Sequence, residues 1–200
     1  MKTFKQYLGE ATQYTLPELQ KMIEEQCQPF LQMVGGWKGA KKHVLYRGMR
    51  RSNNVIWNVR KNRKPKTSSA PEHNAMNAWF ERKFGIKHRS ESMFCSADVD
   101  VAAGYGRDIY AVFPIGNFEF AYAAKDNIFV QDLLYPIRKK TEAVKDDAAK
   151  VTPIVDEVLD GLDFTDQNLL GAMKKRKVMP ELMINCDSYI AIPLSVWEAK

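Results

Sequence analysis

The sequence predicts an α+β fold, and three observations carry that prediction. Short β-rich runs are scattered among helical segments without regular strand-helix-strand alternation. Two pairs of these runs are separated by only a few turn-forming residues, which is typical of antiparallel hairpins. The 200 residues are 45% hydrophobic and 11% aromatic, enough to fill the core of one domain. We expect that domain over residues 12–200, after a separate segment at residues 1–11.

The first helix begins at a capping box formed by Thr15 and Glu18. Apolar residues then recur at helical spacing until Gly35-Gly36, where the pattern stops. One continuous helix over residues 16–34 is therefore predicted. A short strand, HVLYRG, follows at residues 43–48.

Residues 49–70 are rich in Lys, Arg, Asn, Pro and Ser and have little periodicity, which predicts a long loop. Ser69 and Glu72 form a second capping box and open the next helix, which is expected to end before Gly85. Its apolar face consists of four residues, Met76, Trp79, Phe80 and Phe84.

The middle of the chain alternates short strands with one short helix. The run SMFCS at residues 92–96 predicts a strand, followed by a helix at 98–103 that ends in the turn 104–106. Strands are predicted at 108–113 and 117–122. The Pro-Ile-Gly-Asn turn between them favours a hairpin.

Residues 126–138 fit neither a helical nor a strand pattern well. Helical spacing returns at residues 140–160 and 165–173. The last two β-rich runs, at 181–185 and 188–193, are separated only by a Cys-Asp pair, so a second hairpin is predicted.

Charge is concentrated in two stretches of the chain. Residues 41–66 carry ten Lys or Arg and no acid, whereas residues 141–166 hold eight acids against two lysines; the net charge is +6. This uneven charge distribution favours the attraction of an anionic ligand. The alternative interpretation is that both stretches are ordinary solvated surface segments. The basic loop 50–66 also contains Trp57, a combination that suits phosphate contacts and base stacking. A nucleic-acid-associated partner and an acidic protein both fit this composition.

Several classes of protein are excluded by what the sequence lacks. The three cysteines are far apart with no CxxC spacing, and the three histidines are scattered, so neither a disulfide framework nor a metal site is expected. Nucleotide-binding glycine motifs are absent. No apolar run reaches the roughly 20 residues of a membrane helix, and the N-terminus has no secretory signal. We expect a soluble protein of a reducing cytoplasm that does not associate with membranes.

Polar residues stand at the ends of three apolar runs. Arg47 follows Val-Leu-Tyr, Ser96 follows Met-Phe-Cys, and Glu181 precedes Leu-Met-Ile. An arginine in a strand favours a bidentate anionic partner, and a glutamate beside an apolar run is costly to bury. Each of the three has either a structural or a functional explanation when taken alone.

In this order the three residues resemble the Arg, Ser and Glu motifs of the NAD-using ADP-ribosyltransferase family. That family has an aromatic-Arg-Gly strand, a Phe-Ser-Thr-Ser strand leading into a short helix, and a Glu followed by an apolar strand. The matching segments here are Tyr46-Arg47-Gly48, Phe94-Cys95-Ser96 and Glu181-Leu182-Met183-Ile184. The resemblance spans roughly residues 43–193 and implies an ADP-ribosyltransferase-like split β core after an N-terminal helical segment.

The resemblance also implies roles for these residues. Arg47 would clamp a phosphate of NAD, the co-substrate, and Ser96 would hold the strand edge and the nicotinamide ribose. Glu181 would accept a hydrogen bond from the ribose 2′-hydroxyl and stabilise the oxocarbenium-like centre as nicotinamide leaves. These three residues are the predicted catalytic set, and the implied activity is mono-ADP-ribosyl transfer from NAD to a host macromolecule.

Further residues are assigned to NAD binding, and two positions depart from the family pattern. Gly48 and Tyr105 join Arg47 and Ser96 in the predicted cofactor site. Either Tyr105 or Trp79 stacks on nicotinamide, and core packing is the alternative for both. Cys95 stands where the family has its leading Ser. Met179 stands where transferases that modify arginine carry a second Glu, which argues against an arginine acceptor.

The segment MKTFKQYLGEA resembles the capsid-targeting peptides of internal head proteins in T-even-type tailed phages. Those peptides are cleaved after a Glu that follows a hydrophobic residue by two positions, as in Leu8-Gly9-Glu10. The resemblance implies a phage protein packaged in the virion head that acts in the host cytoplasm. The alternative is an amphipathic helix that docks on the domain. The competing function is a non-enzymatic virion or nucleic-acid-binding protein on a related scaffold.

Overall fold

A computed structural model describes residues 14–65, 68–124, 130–174 and 180–199. It combines helices with antiparallel strands, so the α+β class is confirmed. The helices are α1 (Leu16–Gln26), α2 (Gln28–Val34), α3 (Gly36–Lys42), α4 (Ala70–Phe84), α5 (His88–Glu91), α6 (Val99–Ala103), α7 (Val130–Thr141), α8 (Ala148–Asp160), α9 (Leu169–Met173) and α10 (Leu194–Trp197). The strands are β1 (Leu45–Met49), β2 (Ile56–Asn58), β3 (Met93–Ser96), β4 (Asp108–Pro114), β5 (Glu119–Ala123), β6 (Phe164–Thr165), β7 (Glu181–Asn185) and β8 (Ser188–Pro193).

The chain divides into two compact units, each built from separate stretches of the range in which one domain was predicted. Unit 1 takes the described residues of Met1–Asn58, Ser96–Phe118 and Cys186–Lys200. Unit 2 takes those of Val59–Cys95 and Glu119–Asn185. The predicted segment 1–11 lies outside the described residues.

In unit 1 the strands run in the order β2-β8-β4-β1, and each neighbouring pair is antiparallel. Aromatic side chains pack between α2, β4 and α10: the rings of Phe30 and Phe113 lie 5.9 Å apart, and those of Phe113 and Trp197 lie 5.1 Å apart. The first pair is edge-to-face and the second is tilted, and aromatic contacts of this kind add to the gain from burying the rings.

In unit 2 the strand order is β3-β7-β5-β6. The inner face of α4 packs with α7, α8 and these strands in one hydrophobic cluster. The core is aromatic, because the Phe80 ring lies 5.0 Å from Phe164 and 5.6 Å from the His88 imidazole. As predicted, α4 starts at the Ser69-Glu72 capping box and ends at Gly85, whose φ is +76°.

The single helix predicted over residues 16–34 is wrong: α1 and α2 are separate helices that break at Cys27 (φ −110°, ψ 31°). The reason is Pro29 in the first turn of α2, since proline has no N–H to donate and its ring clashes with the carbonyl four residues earlier. The start of α1 is as predicted, because the Glu18 carboxylate accepts hydrogen bonds from the Thr15 N–H (2.6 Å) and hydroxyl (2.8 Å). Beyond the expected stop, α3 begins at Gly36, and both Gly35 and Gly36 have positive φ.

Both predicted hairpins are also wrong. β4 pairs with β1 and β8 in unit 1, whereas β5, which follows it in sequence, pairs with β6 and β7 in unit 2. In the same way, β7 pairs with β5 in unit 2, whereas β8 pairs with β4 in unit 1. The turn after β4 is bonded elsewhere in unit 1: Ile115 N–H donates to the Ser188 carbonyl and Gly116 N–H to the Gln26 carbonyl. Each short link carries the chain from one unit to the other.

The helix predicted over 140–160 is two elements, because α7 ends at Thr141 and α8 starts only at Ala148. The Asp147 carboxylate accepts from the Ala149 N–H and caps α8, which is the usual preference of aspartate. The helix predicted over 165–173 begins later, at Leu169, after β6. Part of the ambiguous stretch 126–138 belongs to α7, and residues 125–129 lie outside the described residues.

Candidate functional site

Arg47 lies in the middle of β1, where the sequence places it in a strand between apolar neighbours. Its Cα is paired with Tyr110 of β4, and the residue before it, Tyr46, is paired with Ser96. Arg47 is half-buried, whereas Leu45, two residues earlier on the same face of the strand, is fully buried. Arg47 therefore belongs to a structured strand and is half-buried as a residue, although its Nε atom is buried.

Ser96 is almost fully buried, with 1% of its surface exposed. Its hydroxyl oxygen accepts a hydrogen bond from the Asp98 N–H (3.1 Å), and the Asp98 carboxylate in turn caps α6 by accepting from the Asp100 N–H (2.8 Å). Because paired residues point to the same face of a sheet, Ser96 shares the face of Tyr46, and Arg47 points to the other face. Ser96 thus fixes the turn from β3 into α6.

Gly48 is in close backbone contact with the turn that follows α6. A Cβ placed on Gly48 would lie 2.2 Å from the Ala102 carbonyl oxygen and 2.6 Å from the Gly106 nitrogen. A Cβ on Gly106 would lie 2.4 Å from the Met49 nitrogen. Only glycine fits at either position, and this contact holds the Gly104-Tyr105-Gly106 turn against β1. Gly106 is a residue that sequence reasoning did not single out, although the Gly-Tyr-Gly pattern is a signal for it.

Tyr105 is held by that turn with 39% of its surface exposed, and its N–H donates to the Ala102 carbonyl (3.1 Å). Trp79 is different, because it is 4% exposed, packs edge-to-face on Phe80 and Phe164, and donates its indole N–H to Asp160 (2.8 Å). Of the two aromatic residues considered for stacking on nicotinamide, Trp79 is a core residue of unit 2.

Glu181 opens β7 in unit 2 and is 4% exposed. Burial of a carboxylate carries a large desolvation cost, which makes it an unusual residue at the start of an apolar strand. The next residue is fixed by β3, since the Cys95 thiol donates to the Leu182 carbonyl oxygen (3.7 Å). Sequence reasoning treated Cys95 only as a departure from the family motif and missed this bond to β7.

The basic segment is divided between the two units after Asn58. In unit 1 the exposed Arg50 and Arg51 follow β1, and the Tyr110 hydroxyl accepts from the Ser52 N–H (3.1 Å) to fix the chain there. Trp57 lies in β2, is half-buried and donates to the Asn54 carbonyl (2.9 Å).

In unit 2 the basic segment is attached through Arg63, whose guanidinium carbon lies 4.1 Å from the centre of the Phe94 ring. Arg89 approaches the same ring at 5.2 Å. Of the cations assigned to the loop, Lys66 lies outside the described residues, as does Met179.

The surroundings of His88 in unit 2 disfavour a charge on its ring. Burial lowers the pKa of His88 to about 4, against an ordinary value of 6.5, and the nearby Asp166 only partly opposes this shift. His88 is fully buried, contacts the Ser92 hydroxyl at 2.8 Å, and its Nε2 has no hydrogen-bond partner among the described residues. Glu181 belongs to the same unit.

The cysteines are not poised for chemistry. Cys27, Cys95 and Cys186 are all buried and none forms a disulfide. Burial, with a smaller effect of Cys186, raises the pKa of Cys27 to about 12, so that this thiol stays protonated.

Within residues 14–65, 68–124, 130–174 and 180–199, no group of three or more His, Cys, Asp or Glu side chains is placed to hold a metal ion. Over the same ranges, no helix has both the length and the apolar character needed to cross a membrane. A polar surface depression of about 460 Å³ lies between α7 and α8 and is lined by residues 142–147 and Lys150.

The predicted residues therefore fall into two groups. Unit 1 holds Arg47 and Gly48 on β1, the buried Ser96 and the Tyr105 turn, with Arg47 and Ser96 on opposite faces of the sheet. Unit 2 holds Glu181. Comparison of the chain with protein-family models, with curated proteins and with solved structures finds no match in any of the three.

Proposed function

We propose that this protein is an NAD-dependent mono-ADP-ribosyltransferase, an enzyme of the glycosyltransferase class. The observation that carries the proposal is the pairing of Tyr46 with Ser96. It joins the Tyr-Arg-Gly strand to the end of the Phe-Cys-Ser strand, which leads directly into the short helix α6. The third motif residue, Glu181, opens a buried strand. The strands β1, β3 and β7 that carry these three residues support the proposal.

Arg47 is assigned to the pyrophosphate of NAD. A half-buried arginine on a strand keeps its planar set of donors oriented, which suits bidentate contact with a phosphate. Gly48 and Gly106 set the backbone spacing that places Tyr105 beside β1, where a half-exposed ring can cover the nicotinamide. Ser96 acts by positioning, because its hydroxyl holds the turn from β3 into α6.

Glu181 is assigned to the chemical step. The bond between ribose C1′ and the nicotinamide nitrogen breaks, and nicotinamide leaves with the electron pair. The carboxylate binds the ribose 2′-hydroxyl and stabilises the positive charge that develops at C1′. A nucleophile of the acceptor then bonds to C1′ and gives up its proton. A carboxylate in poorly hydrated surroundings exerts a stronger electrostatic effect than one in water.

The acceptor is proposed to be a host protein or a nucleic-acid-associated target that the basic loop 50–66 attracts. A chain with ten cations in residues 41–66 has a surface field that favours encounter with acidic partners. The capsid-targeting resemblance of residues 1–11 adds the proposal that a phage packages this protein in its virion head and delivers it to the host cytoplasm during host takeover.

The test is incubation of the purified protein with labelled NAD and a bacterial lysate. We expect label in one or more macromolecules, and we expect none with Glu181→Gln, which keeps the size of the side chain and removes its charge. Wild-type protein that transfers no label and releases no nicotinamide would contradict the proposal. It would favour the second candidate, a non-enzymatic nucleic-acid-binding protein, for which the anchored cations of unit 2 provide the specific support.

A further inference from the structure

The part of the basic segment that belongs to unit 2, residues 59–65, is held in a defined position. Arg63 donates its N–H to the Ser90 carbonyl (3.1 Å) and accepts from the Ser90 hydroxyl at its own carbonyl (3.4 Å). Its guanidinium stacks on Phe94. Lys61 Nζ donates to the Asn185 side-chain oxygen (3.3 Å), and Val59 is buried. These contacts attach the segment to α5, β3 and β7 and position the side chains of Lys61 and Arg63.

Further polar contacts hold Ser90, the residue to which the Arg63 backbone is bonded. The Ser90 hydroxyl lies 3.0 Å from His73 Nε2 and accepts from the Asn77 amide (2.6 Å), and the Asn77 side-chain oxygen accepts from the Ser90 N–H (3.2 Å). Burial lowers the pKa of His73 and the charge of Arg89 lowers it further, whereas a hydrogen bond to the Arg63 backbone opposes the shift.

The outer side of the segment is basic and polar. Arg60, Lys61, Asn62 and Lys64 are exposed, and among the described residues Arg60 and Lys64 take part in no ion pair. The large hydrophobic residues that the described structure exposes, Tyr14, Met33, Ile56, Tyr105 and Tyr135, all lie outside residues 59–65. A protein interface usually has an apolar or aromatic anchor at its centre. Arginine, lysine and asparagine side chains without such an anchor are instead typical of contacts to a phosphate backbone.

We infer that residues 59–65 form a preformed surface that binds the phosphate backbone of a nucleic acid. The backbone of the segment is already held by its contacts to α5 and needs no ordering on binding, which lowers the entropic cost of association. Because the segment has no exposed aromatic side chain for stacking, the surface recognises the charge of the phosphate backbone and does not distinguish between bases. This binding does not require NAD and does not rest on the proposed transferase activity.

The test compares two pairs of cations in unit 2. One variant combines Arg60→Gln with Lys64→Gln. The control combines Arg138→Gln with Lys139→Gln on α7, where both residues are also exposed and in no ion pair among the described residues. Both variants lose one Arg and one Lys, so their net charge is the same. Binding to fluorescein-labelled single-stranded oligothymidine and oligoadenosine 20-mers is measured by anisotropy from 50 to 300 mM salt, without NAD.

We expect the loop variant to bind about tenfold more weakly at 0.1 M salt, with the slope of log affinity against log salt reduced by about 1.4, or about 0.7 for each lost phosphate contact. The control should change by less than about threefold, and the two oligonucleotides should bind alike. Circular dichroism should show the same fold in all three proteins. An equal loss in the two variants, equal binding to polyglutamate of matched charge, or no binding by the wild type would each overturn the inference.

Discussion

Arg47 and Glu181 differ most in how much water reaches them. Arg47 is half-buried on a strand of unit 1, and Glu181 is 4% exposed in unit 2, whose interior also holds a neutral histidine. A partly hydrated cation can bind and release an anionic ligand at low cost, whereas a buried carboxylate interacts strongly with charge that appears only during reaction. In the proposed transferase, NAD binding at Arg47 and the chemical step at Glu181 would therefore take place in different surroundings, and the predictions test each residue.

The largest effect is expected at Glu181. Glu181→Gln should lower the rate of ADP-ribosyl transfer and of NAD hydrolysis by about 10²-fold or more, because it removes charge stabilisation made mainly in the transition state. The KM for NAD should change little. Initial rates over a range of NAD concentrations, with circular dichroism as a control for folding, measure both. Wild-type turnover in this variant would remove Glu181 from the mechanism.

The second prediction concerns the buried His88 of unit 2 and the pH dependence of stability, and it is independent of catalysis. The folded protein holds the His88 pKa at about 4, and the unfolded chain has it near 6.5, so between these values the unfolded state binds the additional proton. Stability contributed by neutral His88 is present above pH 6.5 and falls as the pH decreases towards 4. The loss between pH 7.5 and pH 5 should be about 2 kcal/mol.

Urea unfolding at these two pH values, for the wild type and for His88→Gln, measures this loss. Glutamine carries no titrating charge, so the pH dependence of the variant should be smaller by that amount. Identical pH dependence in the two proteins would show that His88 does not carry the effect.

The third prediction concerns Arg47, the less buried of the two residues. Arg47→Ala should weaken NAD binding by about tenfold, since a phosphate clamp acts in the ground state. Arg47→Lys should recover only part of the affinity, because a point charge replaces a bidentate set of donors. Calorimetric titration with NAD gives both values. If Arg47→Ala binds NAD as tightly as the wild type, Arg47 is a structural residue of β1.

The smallest effect is expected at Cys95, where the family motif and this chain differ. Cys95→Ser keeps a donor for the Leu182 carbonyl and should leave transfer within about twofold of the wild type. Cys95→Val removes the donor at similar volume and should cost about 1 kcal/mol of stability. Unfolding midpoints and initial rates of the two variants separate these effects. A Val variant as stable as the Ser variant would mean that the bond to β7 does not matter.

Much of the local structure could be predicted because its causes are local. The capping boxes at Thr15 and Ser69, the stop at Gly85 and most strand positions follow from residues within a few places of one another. Two short strands were missed, β2 within the predicted loop 49–70 and β6 just before α9. The break at Cys27 was missed because the apolar spacing continues through it, although Pro29 is a sufficient local signal.

The strand partners could not be predicted in the same way. Alternating polarity identifies a strand but does not encode its neighbour, and short links make a hairpin the default expectation. Here the links after β4 and β7 cross from one unit to the other, and what holds the first of them is distant in sequence, such as the Gln26 carbonyl that accepts from Gly116. The motif residues were found because each is unusual where it stands, whereas Gly106 and the bond from Cys95 become visible only through backbone contacts.

The burial of all three cysteines has a practical consequence for spectroscopy. Maleimide reagents attack thiolates that solvent can reach, and the native thiols of this chain are buried, with that of Cys27 held protonated. The folded wild type should therefore remain unlabelled, and no cysteine-free background has to be prepared. A single cysteine introduced at an exposed position, such as Lys64→Cys, would carry a dye at a known place and report directly on whatever approaches residues 59–65.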